Sequence, residues 1–245
     1  MNGPPRRPAI FTDYPRIAVH AHTGSPSILT ASHTLAYGPN NNRMLLVGVI
    51  ASVGYLDPAG PFRTSADSVQ YDGINMPRAI FSVDTSAQSY AAVYYLLDSQ
   101  LPDSGTARQV KVRFAATNVW GHGGFDVLEL KNVTQSVPLA TGVSSGSNCG
   151  NGMGTRSVTV NFSETGSLVY AVMAGRNATA VPTLTTGAAP NGPFQHWNAH
   201  QPLPENMTGS AAYVFGNTNR TLEWAFTDCY NSAGAGVAIK RLNWN

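Results

Sequence analysis

The chain has 245 residues and a formal net charge of +2, with 42% apolar and 11% charged residues. An average soluble domain carries roughly 25% charged residues. The length suits one large β-sandwich or two small ones, and so small a net charge excludes the basic footprint of a nucleic-acid binder. No run reaches the ~20 apolar residues of a membrane-spanning helix, so membrane insertion is not expected.

Lysine occurs only at Lys111, Lys131 and Lys240, and glutamate only at Glu129, Glu164, Glu205 and Glu223. These two residue types normally cover the wet faces of helices. Ser, Thr, Asn and Gly take their place, and they suit strand faces and turns. The expectation is an all-β chain without long amphipathic helices.

Residues 1–16 are rich in Pro and Arg. They read as an extended arm outside the core, followed by a single sandwich domain over 17–245. The opening Met-Asn-Gly-Pro-Pro-Arg-Arg-Pro lacks the apolar core of a secretory signal. That fits a virion protein released by lysis, or a secreted protein whose signal has been removed.

Strand signals then follow in order. Residues 17–22 alternate, as do 29–35 around Thr and Ser. Residues 43–53 (RMLLVGVIASV) form a near-continuous apolar run and read as a strand buried on both faces. Gly48 inside it marks a bulge or a close approach. Asp72-Gly73, between residues 68–71 and 74–76, is the strongest short-range signal for a two-residue hairpin. Residues 90–98 (YAAVYYLLD) are aromatic and β-rich. A Pro-Asp-Ser-Gly turn at 102–105 leads into 106–115, where Val110, Val112 and Phe114 share a face.

Residues 125–133 alternate again. Residues 139–154 are dominated by Gly, Ser and Asn and read as a loop. Strands follow at 156–162 and 167–174, then a Pro-rich irregular stretch at 180–209. Three strands, at 211–215, 221–228 and 236–242, close the chain. About a dozen short strands at this spacing indicate an antiparallel two-sheet β-sandwich of jelly-roll type.

Several of these segments carry a resemblance. They are Ser32-His33-Thr34, then Asn42-Arg43-Met44-Leu45-Leu46-Val47-Gly48-Val49, Val69-Gln70-Tyr71-Asp72-Gly73 and Tyr94-Tyr95-Leu96-Leu97. Gly105 before a Val-Lys-Val strand and Asn132-Val133-Thr134-Gln135-Ser136-Val137-Pro138-Leu139 complete the series. In this order the segments resemble a recurring jelly-roll or lectin-like β-sandwich module of phage virion proteins and bacterial surface proteins. The likeness covers residues 30–140, with a weaker continuation to 242. It implies a sandwich used for display and adhesion, and no catalytic residues. Where that module has Gly before its Val-x-Gln element, this chain has Asn132.

No catalytic residues are expected from the residues themselves either. Gly142-Val143-Ser144-Ser145-Gly146 fits G-x-S-x-G, but that motif needs a strand–turn–helix setting, and no helix follows here. A glycosidase needs two facing acids. Asp126, Glu129, Glu164 and Glu223 are scattered, and Asp126 and Glu129, three apart on a strand, point to opposite faces. His20 and His22, and His196 and His200 in HWNAH, have metal-like spacing without a completing acid or Cys. Neither a metal nor any cofactor is expected.

Ligand contact is expected instead at Trp120 and His122 on a Gly-rich loop, and at Phe194 and Trp197 in the irregular stretch. Arg6, Arg7, Phe11 and Tyr14 on the arm are the candidates for docking a partner. Cys149 and Cys229 either form a bridge, closing a loop of about 80 residues and worth about 4.5 kcal/mol in the chain-entropy model, or are two buried thiols. The resulting expectation is a non-enzymatic virion component: a capsid decoration, head fibre or tail-associated protein. Its partners would be virion proteins and copies of itself, a symmetric trimer being one such assembly. The alternative is a secreted or cell-surface adhesin that binds glycans.

Overall fold

The computed structural model describes residues 12–13, 20–22, 28–53, 66–84, 89–114, 121–138, 140–146, 153–164, 166–176, 182–185, 194–201, 207–216, 218–227 and 231–242. Within them lie eighteen strands and one turn of 3-10 helix at Asp98–Gln100. None of the helices is long and apolar enough to cross a membrane.

The first ten strands are β1 (Thr12–Asp13), β2 (His20–His22), β3 (Ile28–Thr34), β4 (Met44–Val53), β5 (Ala66–Tyr71), β6 (Ile74–Asn75), β7 (Arg78–Val83), β8 (Ser89–Leu97), β9 (Ala107–Phe114) and β10 (Gly121–Leu130). They make two antiparallel sheets. An inner sheet runs β1-β10-β4-β8-β7, with β2 also on β10, and an outer sheet runs β3-β9-β5-β6.

The remaining strands are β11 (Ala140–Gly146), β12 (Met153–Val160), β13 (Ser167–Arg176), β14 (Thr183–Leu184), β15 (Phe194–Gln201), β16 (Met207–Gly216), β17 (Arg220–Thr227) and β18 (Asn231–Ile239). They make a second inner sheet, β11-β18-β13-β16-β15, and a second outer sheet, β12-β17-β14.

The all-β antiparallel sandwich architecture is as expected, but its layers number four, not two. Alternation within the strands sets the layers. Leu45, Val47 and Val49 of β4 face the first outer sheet, where Val69, Tyr71, Val110 and Val112 meet them. Met44, Leu46 and Ile50 of the same strand face the second inner sheet, against Leu168, Tyr170 and Val172. On the far side of β13, Val169, Ala171 and Met173 meet Val158, Leu222, Trp224 and Phe226. Two sandwiches are thus stacked back to back, and both central sheets are apolar on both faces.

Each half has jelly-roll connectivity. In the first, β6 pairs with β5 in the outer sheet and β7, two residues on, pairs with β8 in the inner sheet. One strand of the roll therefore crosses between sheets.

The Asp72-Gly73 turn forms as expected. Both residues take positive φ, +51° and +79°, while Tyr71 pairs with Ile74, which is the two-residue turn matching strand twist. Gly48 is a close approach, since a Cβ there would overlap the Tyr170 hydroxyl and Val172.

Five strands lie where the sequence suggests none, the first of them β1 at Thr12–Asp13 within the arm. Residues 139–154, read as a loop, contain β11, which pairs along its whole length with β18. Residues 180–209, read as irregular, contain β14, β15 and the start of β16. β7 was not marked at all. Small and polar residues hide β11, because its partner β18 supplies the apolar area.

Gly73 has nothing within 4 Å of a Cβ built on it, so only backbone strain opposes a side chain there. Gly73→Ala is expected to lower unfolding free energy by about 1 kcal/mol, and Gly73→Asn by less, because Asn tolerates the left-handed region. Urea midpoints with unchanged slope would check this ranking.

Candidate functional site

A network of polar side chains centred on the buried Arg43 lies at one pole, around the 131–138 link between the sandwiches. Arg43 has no exposed side-chain surface, and its Nε pairs with Asp98. Its Nη1 donates to the carbonyls of Tyr37 (2.9 Å) and Pro102 (3.1 Å), and its Nη2 to that of Leu101 (3.4 Å). Gln135 Nε2 donates to the Arg43 carbonyl at 2.9 Å, and Gln135 Oε1 accepts from the Asp98 N–H at 2.8 Å.

The link also holds the last residues of the second sandwich. Thr134 N–H donates to Lys240 O and Leu242 N–H to Asn132 O, while Val133 bridges Arg241. Asn132 sits at φ +57°, a region that Gly enters freely and Asn tolerates. That is the physical reason Asn stands before the Val-x-Gln element. Residues 132–135 of the segment singled out in the sequence are therefore a clamp between sandwiches.

The four acids considered for catalysis are held in separate places. Asp126 is buried between the inner sheets and accepts from Tyr170 Oη at 3.0 Å. Glu129 points the other way and accepts from the N–H groups of Ala36 (2.8 Å) and Tyr37 (3.2 Å). Glu164 pairs with Lys240 at 3.0 Å, and Glu223 accepts from Thr185 Oγ1 at 2.8 Å. Burial, then the Asp126 carboxylate, pushes the Tyr170 phenol well above its ordinary range. Such a phenol stays protonated and donates.

Ser144 of the G-x-S-x-G run lies mid-strand in β11, paired with Gly234. Its carbonyl accepts from Ser82 Oγ at 2.7 Å. The motif is extended backbone, without a nucleophile elbow. HWNAH likewise lies in strand β15, so the helical spacing that would align its two histidines is absent.

The described surface with most to offer a ligand is the edge of the first inner sheet, at β7 and β8. Phe81 is 45% exposed and Ile74, just before the edge strand, is 36% exposed. The Arg78 guanidinium lies 4.1 Å from the Phe81 ring centroid, a cation–π distance. Behind them the Tyr90 and Tyr94 hydroxyls meet at 3.0 Å. Burial, then Tyr90, pushes the Tyr94 phenol far up, while hydrogen bonds to both phenols hold Arg78 up against its own desolvation. The exposed Phe81 ring and the Arg78 guanidinium together offer an apolar surface beside a donor, with the buried Tyr90 and Tyr94 beneath them. A bulge between Arg78 and Ile80 interrupts this edge, as is common where a free edge is protected.

Of the residues singled out in the sequence, Arg6, Arg7, Phe11, Tyr14, Trp120, Cys149 and Cys229 lie outside the described residues. His122 belongs to β10, its backbone paired with Ser52 and Ala21. Phe194 and Trp197 belong to the edge strand β15, separated by a bulge. Arg78 and Phe81 were missed. The Arg-Ala-Ile-Phe run after the Asp-Gly hairpin was the signal that could have found them. Among the described residues, no three His, Cys, Asp or Glu side chains gather as a metal site would require.

Comparison of the chain with protein-family models, with curated proteins and with solved structures finds no match.

Asp98→Ala strands a buried guanidinium and is expected to cost about 3 kcal/mol, against well under 1 for an exposed pair; denaturant melts would read this. A second expectation concerns alkaline pH. Tyr71 is pushed up to about 12 from 10.0 by burial, then by Glu129 and Asp72. Below pH 10 both folded and unfolded states keep the proton. Between about 10 and 12 only the unfolded chain sheds it, so stability falls as pH rises. Tyr71→Phe is expected to flatten the fall of Tm across that window.

Proposed function

We propose that this chain is a non-enzymatic structural and binding protein of a virus particle: a phage capsid decoration, head fibre or tail-associated protein, docked through its N-terminal arm. The observation that carries this reading lies on the outer side of β10. Thr12–Asp13 pairs there with Leu130 and Glu129, and His20–His22 with residues 121–123. The root of the arm is stitched to the body by main-chain hydrogen bonds. Residues 1–11, with Arg6, Arg7 and Phe11, directly precede that root in the chain. A segment of this kind adds to a neighbour's sheet by the same bonds and orders on binding.

Two further features support display rather than turnover. The buried polar groups of the pole are used in joining loops and sandwiches. The low charge and the many Ser, Thr and Asn residues suit close packing of copies in a symmetric assembly.

A second reading, a glycan-binding adhesin of the cell surface, is favoured by the Phe81 edge. An exposed ring beside a guanidinium supplies both stacking area and hydrogen-bond donors to a sugar.

Mass spectrometry of purified particles is expected to find the protein at fixed stoichiometry, and its absence there would sink the virion reading. Deleting residues 1–11 is expected to abolish particle association while leaving Tm within a few degrees; retained docking would exclude the arm. For the second reading, Phe81→Ala is expected to weaken binding to a responsive glycan by about tenfold, roughly 1.4 kcal/mol. A glycan array without a responsive sugar would exclude it.

A further inference from the structure

We propose that the chain is a fused dimer of one jelly-roll unit. Its central interface recognises a second unit of the same kind about a pseudo-twofold axis, through a one-sided lock of Tyr170 seated on Gly48 and Asp126.

The topologies are the first ground. Taking β1 and β2 together as one edge, the first inner sheet is edge-β10-β4-β8-β7 and the second is β11-β18-β13-β16-β15. Assigning β3 to β12, β4 to β13, β5 to β14, β7 to β15, β8 to β16, β9 to β17 and β10 to β18 reproduces the strand order of both sheets of both halves, β6 alone having no counterpart among the described residues.

Register is the second ground. Set Leu46, Gly48 and Ile50 equivalent to Leu168, Tyr170 and Val172. Pairing with the next strand then makes Ala91 equivalent to Ala211 and Val93 to Tyr213. Pairing on the other side makes Asp126 equivalent to Val237 and Leu128 to Ile239. At some of the positions so paired the two units carry the same residue. Leu46-Val47 matches Leu168-Val169, and Ala91-Ala92 matches Ala211-Ala212. Residues 106–114 (TARQVKVRF) match 218–226 (TNRTLEWAF) at Thr, Arg and Phe. Val110, Val112 and Phe114 are buried, as are Leu222, Trp224 and Phe226.

The mutual packing is the third ground. β4 lies against its own counterpart β13. β10 lies against β16, and the counterpart of that contact, β18 against β8, is also present. The β13–β8 contact is likewise returned by β16–β4, the exchange of like contacts that a twofold interface produces, while the packing of β7 on β11 and β18 departs from that symmetry.

The axis passes where equivalent residues meet, and Gly48 meets Tyr170 there. The pair is unequal by design of the sequence. The first unit offers a socket, Gly48 with Asp126 beside it in register. The second offers a ring whose hydroxyl donates to Asp126, while Val237 holds the place of the Asp. Two first units would face Gly48 with Gly48, leaving a void and two buried carboxylates without a phenol. Two second units would drive Tyr170 onto Tyr170, where not even a Cβ fits. The lock admits only the unlike pair, a repulsive element added to an attractive one.

Two experiments on the full chain test this. In the first, the lock is moved across the axis. Gly48→Tyr and Tyr170→Gly are each expected to lower Tm by roughly 10 °C, through overpacking and a void. Adding Asp126→Val and Val237→Asp to the two together is expected to recover most of that loss. A four-fold variant no more stable than the worse single variant overturns the equivalence. In the second, a protease site is placed at residues 136–138, where Val137 is 66% exposed, and the folded protein is cut, unfolded and refolded. Native mass spectrometry is expected to find only first-with-second pairs, with second-with-second pairs appearing after Tyr170→Gly. Like pairs in statistical amounts without any substitution, or units that part on cutting, overturn the lock.

Discussion

Two sheets that are apolar on both faces must each be covered twice, and the rest of the molecule follows from that. β13 is buried at all ten positions and β4 from Met44 to Ala51. A strand with polar and apolar residues in alternation can leave one face wet; these cannot. Each inner sheet takes an outer sheet on one side and the other inner sheet on the opposite side. At ~25 cal/mol per Å² of apolar surface removed from water, the central contact is a major source of stability. Gly48 is part of it, since the sheets approach there only because a side chain is missing.

Backbone groups set a second constraint. Loops that turn at the poles of a stacked sandwich carry carbonyls and N–H groups into places water does not reach, and these must be hydrogen-bonded. Arg43 answers for three carbonyls and Glu129 for two N–H groups. Gln135 then ties the Arg43 strand to the linker. Arg43 and Glu129 thus spend their charge on backbone groups that folding would otherwise leave unpaired. The proposed functions fall on the edges: the β10 edge that receives β1 and β2, and the β7 edge that presents Phe81.

Legibility in the sequence followed local physics. The 43–53 run, the Asp72-Gly73 turn and the Val-x-Val-x-Phe face of β9 were readable, because each signal is complete within ten residues. β11, with the sequence ATGVSSG, was not. It owes its strand state to β18, whose paired residues lie 86 to 98 positions away in the chain, and carries no periodicity of its own. The candidate site was legible only in part. His122, Phe194 and Trp197 were marked as loop residues, yet all three lie in strands. Phe81 and Arg78 carried only the short Arg-Ala-Ile-Phe run as a signal, and their exposure at a sheet edge over Tyr90 and Tyr94 is a tertiary fact.

Composition and alternation determined by themselves that the chain is β throughout, that its sheets pair antiparallel and that a hairpin turns at Asp72-Gly73. These are properties of single strands and of their immediate neighbours. The tertiary structure alone decided that there are four layers, that two rolls of one topology face each other, and that Tyr170 sits on Gly48. The reason is distance along the chain. The two inner sheets meet through contacts such as that of Gly48 with Tyr170, more than a hundred positions apart, and no local pattern encodes a partner so far away.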